Sequence, residues 1–219
     1  MASKRINSKT AGRIAGVANQ PATADLPHQL RIIGGRWRGT RLRFPAVAAI
    51  RPTPDRVRET LFNWLAPVIG GARCLDLFAG SGALGLEALS RGAQKVTFVD
   101  RDPRIAAYLR ETLARLDSTS GTVMVADAQR FVQGIGGPFE VVFLDPPFGE
   151  GLLSPLCVQL ESTGWLAAGA FIYIESEAEA GDPVLPPGWT LHRRGRAGKV
   201  GYYLARTTQQ QVPDRNIEP

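Results

Sequence analysis

The sequence predicts an α/β protein with a seven-stranded, mostly parallel sheet that ends in an antiparallel hairpin. Three observations lead to this fold class. From residue 73 onward, short apolar strand-like segments alternate with helical segments, which is typical of a parallel sheet covered on both faces. The first strand runs into a glycine-rich loop that opens a helix. The last two strand-like segments, WTLHRRGRAG and VGYYLAR, have no helix between them and therefore predict an antiparallel pair at one sheet edge.

The N-terminal elements differ from the sheet in composition. Residues 1–29 are small and polar, and we expect a disordered basic tail there. Residues 30–66 are expected to form an arginine-rich part, in which RIIGG and RLRFP flank the turn-prone RWRGT and predict a β-hairpin. A helix is predicted over 54–66, with Thr53 as its N-cap, Pro54 at its first position and Asp55 in its first turn.

The main domain is expected over 67–206, with a polar tail over 207–219. Its parallel strands are predicted at 73–79, 95–100, 122–128, 140–146 and 170–177. The helices between them are predicted at 82–91, 103–116, 128–134 and 152–162. Ligands of open α/β sheets bind at the carboxyl ends of the strands, so the loops at that edge are where we expect chemistry.

Composition narrows the function classes. The chain has 219 residues, of which 44% are hydrophobic, enough for one main domain with an appendage. The formal charge of +6 favours a polyanionic partner. Two unrelated cysteines and two histidines argue against a disulfide framework or a metal site, so no metal is expected and a reducing cytoplasm fits. No apolar run approaches the ~18 residues of a membrane span, and no membrane partner is expected.

The glycine loop follows the first strand in the segment LDLFAGSGALGLEAL. Gly80, Gly82 and Gly85 fit the pattern G-x-G-x-x-G between a strand and a helix. Glycine tolerates positive φ angles and lets the backbone approach a ligand closely, while the helix N-terminus favours anionic groups. The pattern alone suits a dinucleotide as well as S-adenosylmethionine.

Acidic residues at the strand ends separate these two ligands. Asp76 lies four residues before Gly80, where it would repel a pyrophosphate but attract the ammonium of a methionine moiety. Asp100 ends the second strand and is placed to accept both ribose hydroxyls, with Asp102 as a near rival that alternatively caps the next helix. Asp127 ends the third strand, where it is placed to accept from an adenine amine beside the N–H of Ala128.

The fourth strand ends in the sequence DPPF. Pro146 and Pro147 cannot donate to a sheet ladder, so they terminate the strand. The Asp145 carboxylate and the Pro146 carbonyl are two acceptors that are suited to orient an exocyclic base amine and to stabilise the charge that develops on it. Phe148 offers a flat face on which a base turned out of its RNA can stack. This arrangement, which we call the DPPF cup, needs no covalent enzyme intermediate.

The combination of DLFAGSGALGLEAL with DPPF resembles the Rossmann-like, S-adenosylmethionine-dependent amino-methyltransferases. More narrowly, RIIGGRWRGTRL, RPTPDRVRETLFNWL, FLDPPF and the GWL…IYIESE region are similar to the RsmD family, over roughly residues 31–205. The resemblance implies methylation of a guanine N2 in 16S rRNA, at position 966, on the 30S subunit or its assembly intermediate, by a cytoplasmic monomer. It makes 67–206 the methyltransferase domain, whose product is S-adenosylhomocysteine.

The resemblance also assigns roles to residues. It implies a catalytic cup of Asp145, Pro146, Pro147 and Phe148. The cofactor contacts that it implies are Asp76, Phe78, Ala79, Gly80, Ser81, Gly82, Asp100, Arg101, Asp127 and Ala128. The ribose position is often Glu in relatives, whereas Asp100 is one methylene shorter, which leaves the choice between Asp100 and Asp102 open.

Arginines concentrate in the N-terminal part, far above their frequency in the rest of the chain. Because such a density favours phosphate contacts, and because an aromatic ring among them can stack on a base, RNA binding is predicted here. The predicted RNA-binding residues are Arg31, Arg36, Trp37, Arg38, Arg41, Arg43, Arg51 and Arg56, with Arg58 nearby. The sequence does not decide whether Arg51 and Arg56 instead line the cofactor or base pocket. A second basic group, which includes Arg193, Arg194, Arg196 and Lys199, lies in the final hairpin at an undecided position relative to the site.

Four other functions compete with this interpretation. A NAD-dependent dehydrogenase leaves Asp76 and DPPF without a role. A cytosine-C5 methyltransferase needs a nucleophilic thiolate, whereas Cys74 and Cys157 are placed as core residues. An adenine-N6 methyltransferase would use the same cup, and a non-catalytic RNA-binding assembly factor would use only the arginines.

Overall fold

A computed structural model of the chain describes residues 28–45 and 52–208. Two short strands come first, β1 (His28–Arg31) and β2 (Arg41–Phe44), followed by α1 (Asp55–Leu65). The main domain continues with β3 (Arg73–Asp76), α2 (Ala83–Ser90), β4 (Lys95–Asp100), α3 (Pro103–Arg115), β5 (Gly121–Val125), α4 (Ala128–Val132), β6 (Phe139–Leu144), α5 (Leu153–Ser162), β7 (Leu166–Glu177), β8 (Trp189–Ala197) and β9 (Val200–Thr207).

The sheet confirms the predicted fold class. The described residues form seven strands in the order β5-β4-β3-β6-β7-β9-β8. The first five of these pair in parallel, whereas β9 pairs antiparallel with both β7 and β8. The strand order reverses between β3 and β6, and such a switch point opens a crevice at the carboxyl ends of the strands.

Apolar residues fill both faces of the sheet. On one face, α1, α2, α3 and the N-terminal hairpin cover strand residues such as Phe98 and Phe143. On the other face, α4 and α5 cover residues such as Val142 and Ile172. Both cysteines are free and buried in these cores, as the sequence predicted. Among the described residues, no helix is both long and apolar enough to cross a membrane.

Several element boundaries differ from the predicted ones. The hairpin strand lies at His28–Arg31 rather than over RIIGG, because the Ile33 N–H donates to Glu87 instead of to the hairpin ladder. His28 and Gln29 thus belong to a strand and not to the predicted tail, while residues 1–27 lie outside the described part. At the other end, Thr207 still belongs to β9, and residues 209–219 lie outside the described part.

The predicted cap of α1 was wrong. The N-cap position is occupied by Pro54, and no side chain caps the helix. The Thr53 hydroxyl is instead directed at Glu175 on β7, to which it donates at 2.8 Å. Thr53 therefore joins the N-terminal part to the end of a sheet strand.

The N-terminal hairpin docks on α2 through polar contacts. Ser90 links the two, since its Oγ accepts from the Trp37 N–H and donates to the Gly34 carbonyl. At Gly35, which has a φ of +71°, a Cβ would lie 1.8 Å from the Ser90 carbonyl oxygen, so only glycine fits there. The hairpin is therefore fixed against the helix that follows the glycine loop.

Candidate cofactor and catalytic site

The glycine loop is held by the end of the neighbouring strand. The Gly80 N–H donates to Asp100 Oδ2 at 2.9 Å, which joins the loop after β3 to the end of β4. Gly82 has a φ of +75°, and a Cβ there would lie 2.6 Å from a Leu109 methyl group. The helix that follows, α2, has no side chain at its N-cap that accepts a hydrogen bond, so the Ala83 and Leu84 N–H groups remain available to a ligand.

Asp76 lies buried beneath this loop. Its Oδ2 accepts the Gly85 N–H at 2.9 Å, so the carboxylate braces the first turn of α2. Burial raises the pKa of Asp76 to about 7, the Gly85 hydrogen bond opposes this shift, and the charge of Asp100 adds to it. A cationic ligand nearby would reverse this effect by favouring the ionised form.

The rival for the ribose position is occupied as a helix cap. Asp102 Oδ1 accepts the Arg104 N–H at 2.8 Å, and its Oδ2 pairs with the Arg104 guanidinium at 2.6 Å. This pairing with Arg104 lowers the pKa of Asp102 to about 2. Asp100 accepts the Gly80 N–H through Oδ2 and the Asp102 N–H through Oδ1 at 2.8 Å, and no ion pair to a described residue occupies it. Its role as the ribose acceptor stays a prediction.

Asp127 also caps a helix. For the acids at the strand ends, the sequence had favoured a role in ligand binding over a role as helix caps. Its Oδ1 accepts the Arg130 N–H at 3.1 Å and starts α4, while the residue remains exposed at the sheet edge. The adenine role of Asp127 stays a prediction. Of the other predicted cofactor residues, Ala79, Ser81 and Ala128 are buried, Phe78 is half-buried and Arg101 is exposed.

These residues fit S-adenosylmethionine better than a dinucleotide. Asp76 places a carboxylate directly under the loop where a pyrophosphate would have to sit, and Asp100 adds a second one. Both carboxylates suit a ligand that carries an ammonium group and a ribose. No group of three or more residues suited to hold a metal ion is found in the part of the chain that the structure describes.

The DPPF segment follows β6 at the switch point between β3 and β6. Asp145 is half-buried, and its carboxylate has no hydrogen bond to any described residue. Burial first, and then the charges of Glu175 and Asp76, raise the pKa of Asp145 well above its usual value. Pro146 is buried, whereas Pro147 and Phe148 are exposed, with 43% of the Phe148 surface open to solvent. The segment thus presents an unpaired acceptor beside an accessible ring.

Sequence reasoning did not identify Glu175 as part of this site. It lies near the end of β7, and both the Thr53 hydroxyl and the Tyr173 hydroxyl donate to its Oε1 at 2.8 Å. Burial raises the pKa of Glu175, and these two hydrogen bonds oppose the shift. The available signal was an acid near the end of the fifth parallel strand, whose neighbour β6 is followed directly by Asp145.

The predicted RNA-binding arginines form an exposed basic face on the N-terminal hairpin. Side chains alternate along β2, so Leu42 and Phe44 are buried while Arg41 and Arg43 are exposed. Arg31 pairs across the hairpin with Arg41 and is also exposed. The face therefore carries basic side chains from both strands.

The remaining predicted RNA residues lie at three kinds of position. Arg36 stacks over the half-buried Trp37 ring at 4.0 Å, next to the exposed Arg38. Arg56 is exposed on α1, and Arg51 lies outside the described residues. Arg58 is unavailable to RNA, because it is fully buried and bonded to Asp55 and Glu87.

The second basic group lies at the same sheet edge as the cup. Ala197 at the end of β8 pairs with Val200 on β9, and Val200 in turn pairs with Glu177 at the end of β7. Lys199 and Arg196 therefore flank the carboxyl edge at the β8–β9 turn, at the far end of the sheet order from β5. This group is not uniformly basic, because Arg194 pairs with Asp182 at 3.0 Å.

Comparisons with known proteins agree with this geometry. A family model described as conserved hypothetical protein 95 matches residues 30–206. The protein named ribosomal RNA small subunit methyltransferase D from Escherichia coli K12 is 51% identical over 186 residues, which are 85% of this chain and 94% of that protein. The protein of the same name from Haemophilus influenzae is 42% identical over 187 residues, with 83% and 96% covered.

Solved structures extend the similarity to the fold. A putative methyltransferase from Escherichia coli superposes with a TM-score of 0.79 at 50% identity, covering 84% of this chain and all of that one. A putative methylase from Haemophilus influenzae gives a TM-score of 0.71 at 41% identity, with 83% of this chain covered. The family model covers the arginine-rich hairpin as well as the sheet. On these grounds the chain belongs to the RsmD family of methyltransferases, the family of conserved hypothetical protein 95.

Proposed function

We propose that this chain is an S-adenosylmethionine-dependent rRNA methyltransferase that methylates the N2 amine of a guanine in small-subunit rRNA, at position 966 of the 16S molecule. One observation carries the proposal: an unpaired, half-buried Asp145 follows β6, the neighbour of β3, and β3 runs into a glycine loop that is suited to this cofactor. The helix after that loop carries the basic hairpin. The names of the relatives, ribosomal RNA small subunit methyltransferase D, support rRNA as the substrate.

In this proposal the loop edge binds the cofactor. Asp76 attracts its ammonium group, Asp100 accepts from its ribose hydroxyls, and Asp127 with Ala128 contacts its adenine. The backbone around Gly80 and Gly82 allows the close approach. The cofactor supplies an electrophilic methyl group on a sulfonium. The protein's task is then to hold the acceptor amine in line with that methyl group.

The cup performs this task without covalent chemistry. The lone pair of a guanine N2 is delocalised into the ring, so the amine must be oriented before it can attack. Asp145 and the Pro146 carbonyl would accept its two N–H bonds, and Asp145 would stabilise the positive charge as nitrogen bonds to the methyl carbon. The electron pair of the broken carbon–sulfur bond would leave with the sulfur, in S-adenosylhomocysteine. Phe148 stacks on the base after it has turned out of its RNA. The amine then loses one proton, for which Asp145 is the nearest base.

The N-terminal hairpin supplies the contacts to RNA. Its exposed arginines contact phosphates at either side of the turned-out base, and Trp37 contributes a ring surface. The substrate is the 30S subunit or its assembly intermediate, bound by a monomer in the cytoplasm. Both cysteines are free, in keeping with a reducing compartment.

A nucleoside assay tests the proposal directly. Incubation with labelled S-adenosylmethionine and 30S particles from cells that lack the modification should place label in N2-methylguanosine, after digestion and chromatography. Label found only in N6-methyladenosine would overturn the guanine assignment in favour of the adenine alternative. Binding of cofactor and RNA without any transfer would instead favour a non-catalytic assembly factor.

A further inference from the structure

Asp145, the residue directly after β6, and Glu175, near the end of β7, lie at the same height on neighbouring parallel strands. Leu144 on β6 is paired with Ile174 on β7, so the next residues on the two strands are Asp145 and Glu175. Neighbouring strands lie about 4.8 Å apart, and the charge of Glu175 acts on Asp145. The proposed amine acceptor therefore has a second carboxylate directly beside it.

The Glu175 side chain is held in one orientation. Its Oε1 accepts both the Thr53 and the Tyr173 hydroxyls at 2.8 Å, and the Tyr173 side chain is itself fully buried. Its Oε2 has no hydrogen bond to any described residue. One oxygen is thus clamped while the other keeps its accepting capacity. Burial raises the pKa of Glu175, and the two hydroxyl donors oppose that rise.

The bases differ in what they offer to such a pair of carboxylates. Guanine presents two adjacent kinds of donor on its Watson–Crick edge, the ring N1–H and the exocyclic N2 amine. Adenine presents an exocyclic amine next to a ring N1 that can only accept. An ionised carboxylate beside the amine acceptor therefore stabilises guanine and repels the lone pair of adenine N1.

We infer that Glu175 is the residue that selects guanine, with Oε2 accepting the guanine N1–H while Asp145 accepts from N2. This inference rests on the proposed function and specifies its substrate recognition. A site built to accept a base N–H discriminates strongly against a base that lacks it, because its buried oxygen would then remain unpaired. Thr53 and Tyr173 act as positioning residues, since they fix the carboxylate that reads the base.

The competing explanation is that Glu175 only ties Thr53 to the sheet. A base analogue separates the two explanations. 2-Aminopurine keeps the N2 amine, but its N1 is an acceptor like that of adenine. The test uses small-subunit rRNA with either guanine or 2-aminopurine at the target position, reconstituted into 30S particles. The ratio of kcat/KM between these two substrates reports whether the enzyme recognises N1.

For the wild type we expect a preference for guanine of about 100-fold or more. Glu175→Gln keeps an oxygen for Thr53 and Tyr173, but it turns an amide N–H toward N1. The variant should therefore have a lower kcat/KM for the guanine substrate. The preference for guanine over 2-aminopurine should fall by at least about 10-fold. Thr53→Val and Tyr173→Phe keep the carboxylate, so they should lower the rates on both substrates while the preference stays closer to that of the wild type.

Thermal unfolding and binding of S-adenosylhomocysteine check that each variant is folded. An equal loss on both substrates in Glu175→Gln would overturn the inference and leave only a structural role. A wild type without preference for guanine over 2-aminopurine would overturn it regardless of how the variant folds. A wild type that methylates no guanine at all would overturn the proposed function itself, so the two failures are distinguishable.

Discussion

Arg58 and Glu87 form an ion pair that is shielded from solvent, with 1% and 0% of their side-chain surfaces exposed and 3.5 Å between the charged atoms. The two residues join α1 to α2. Glu87 also accepts the Ile33 N–H and the Arg91 guanidinium, and Arg58 also donates to the carbonyls of Thr53 and Arg31. One carboxylate thus holds two segments, α1 and the N-terminal hairpin region, against the helix that opens at the glycine loop.

Removal of this carboxylate should destabilise the protein strongly. Glu87→Gln leaves two guanidinium groups near a neutral amide, and the expected loss in free energy of unfolding is about 3 kcal/mol. Glu140→Gln is the matched control, because the Arg73–Glu140 pair is about 40% exposed and should cost less than about 1 kcal/mol. Chemical denaturation measures both. Equal losses in the two variants would contradict the importance of the buried position.

Asp100 and Asp102 should respond differently to the same substitution. Asp100→Asn leaves one accepting oxygen where the carboxylate serves the Gly80 and Asp102 N–H groups and the two ribose hydroxyls, so we expect the Kd for S-adenosylhomocysteine to rise about 10-fold or more. Asp102→Asn should leave this Kd nearly unchanged, because asparagine caps a helix as well as aspartate does. Titration calorimetry on both variants decides the matter. The reverse order of effects would assign the ribose to Asp102.

Periodicity was enough to predict the sheet, because each strand and helix buries its own apolar pattern. The parallel strands, their carboxyl-edge acids and the final hairpin all follow from residues that are close in sequence. The same local reasoning failed at Thr53, whose sequence context is that of an N-cap. Its hydroxyl bonds Glu175, which is 122 residues away, and no local pattern carries that information.

Charge density was a similarly partial guide. It drew attention to Arg41 and Arg43, which alternation along β2 leaves exposed. It could not separate these from Arg58, because burial of an arginine depends on partners such as Glu87 that come from another element. For the same reason Glu175 escaped notice, since its proximity to Asp145 is a consequence of strand order.

Loss of the Asp145 carboxylate should affect catalysis more than binding. Asp145→Ala removes the acceptor for the amine, and methyl transfer to 30S particles should fall about 100-fold or more while the Kd for S-adenosylhomocysteine is roughly kept. Glu150→Ala is a suitable control, because Glu150 is an exposed acid just beyond the cup. Single-turnover rates measure the effect. Near-normal turnover in Asp145→Ala would refute the catalytic cup.

Reversal of charge on the N-terminal hairpin should weaken RNA binding. Arg36→Glu with Arg38→Glu should raise the Kd for 30S particles and flatten its dependence on salt, because fewer counterions are released on binding. Affinity for S-adenosylhomocysteine should change little. The control pair is Lys95→Glu with Arg115→Glu, which changes the charge equally at exposed positions where β4 begins and α3 ends. If both double variants raised the Kd for 30S particles equally, the hairpin would contribute to RNA binding only through the net charge of the protein.

The raised pKa of Asp76 predicts opposite pH effects on stability and on cofactor affinity. Burial raises this pKa from 3.8 to about 7, so the folded protein keeps a proton that the unfolded chain releases. Stability should therefore fall as the pH rises from about 4 to about 7. Asp76→Asn removes this titration and still accepts the Gly85 N–H. At pH 8 we expect the variant to be more stable than the wild type by about 2–4 kcal/mol, and at pH 4 the two should be nearly equal.

Cofactor binding should show the reverse trend, because the ammonium group is attracted only to the ionised carboxylate. The wild-type Kd for S-adenosylhomocysteine should rise as the pH falls through about 7. The Asn variant should bind more weakly at pH 8 and should lose this pH dependence. Denaturation and calorimetry at several pH values test both trends on the same samples. If the variant were less stable than the wild type at pH 8 and bound the cofactor equally well, Asp76 would be a structural brace for Gly85 alone.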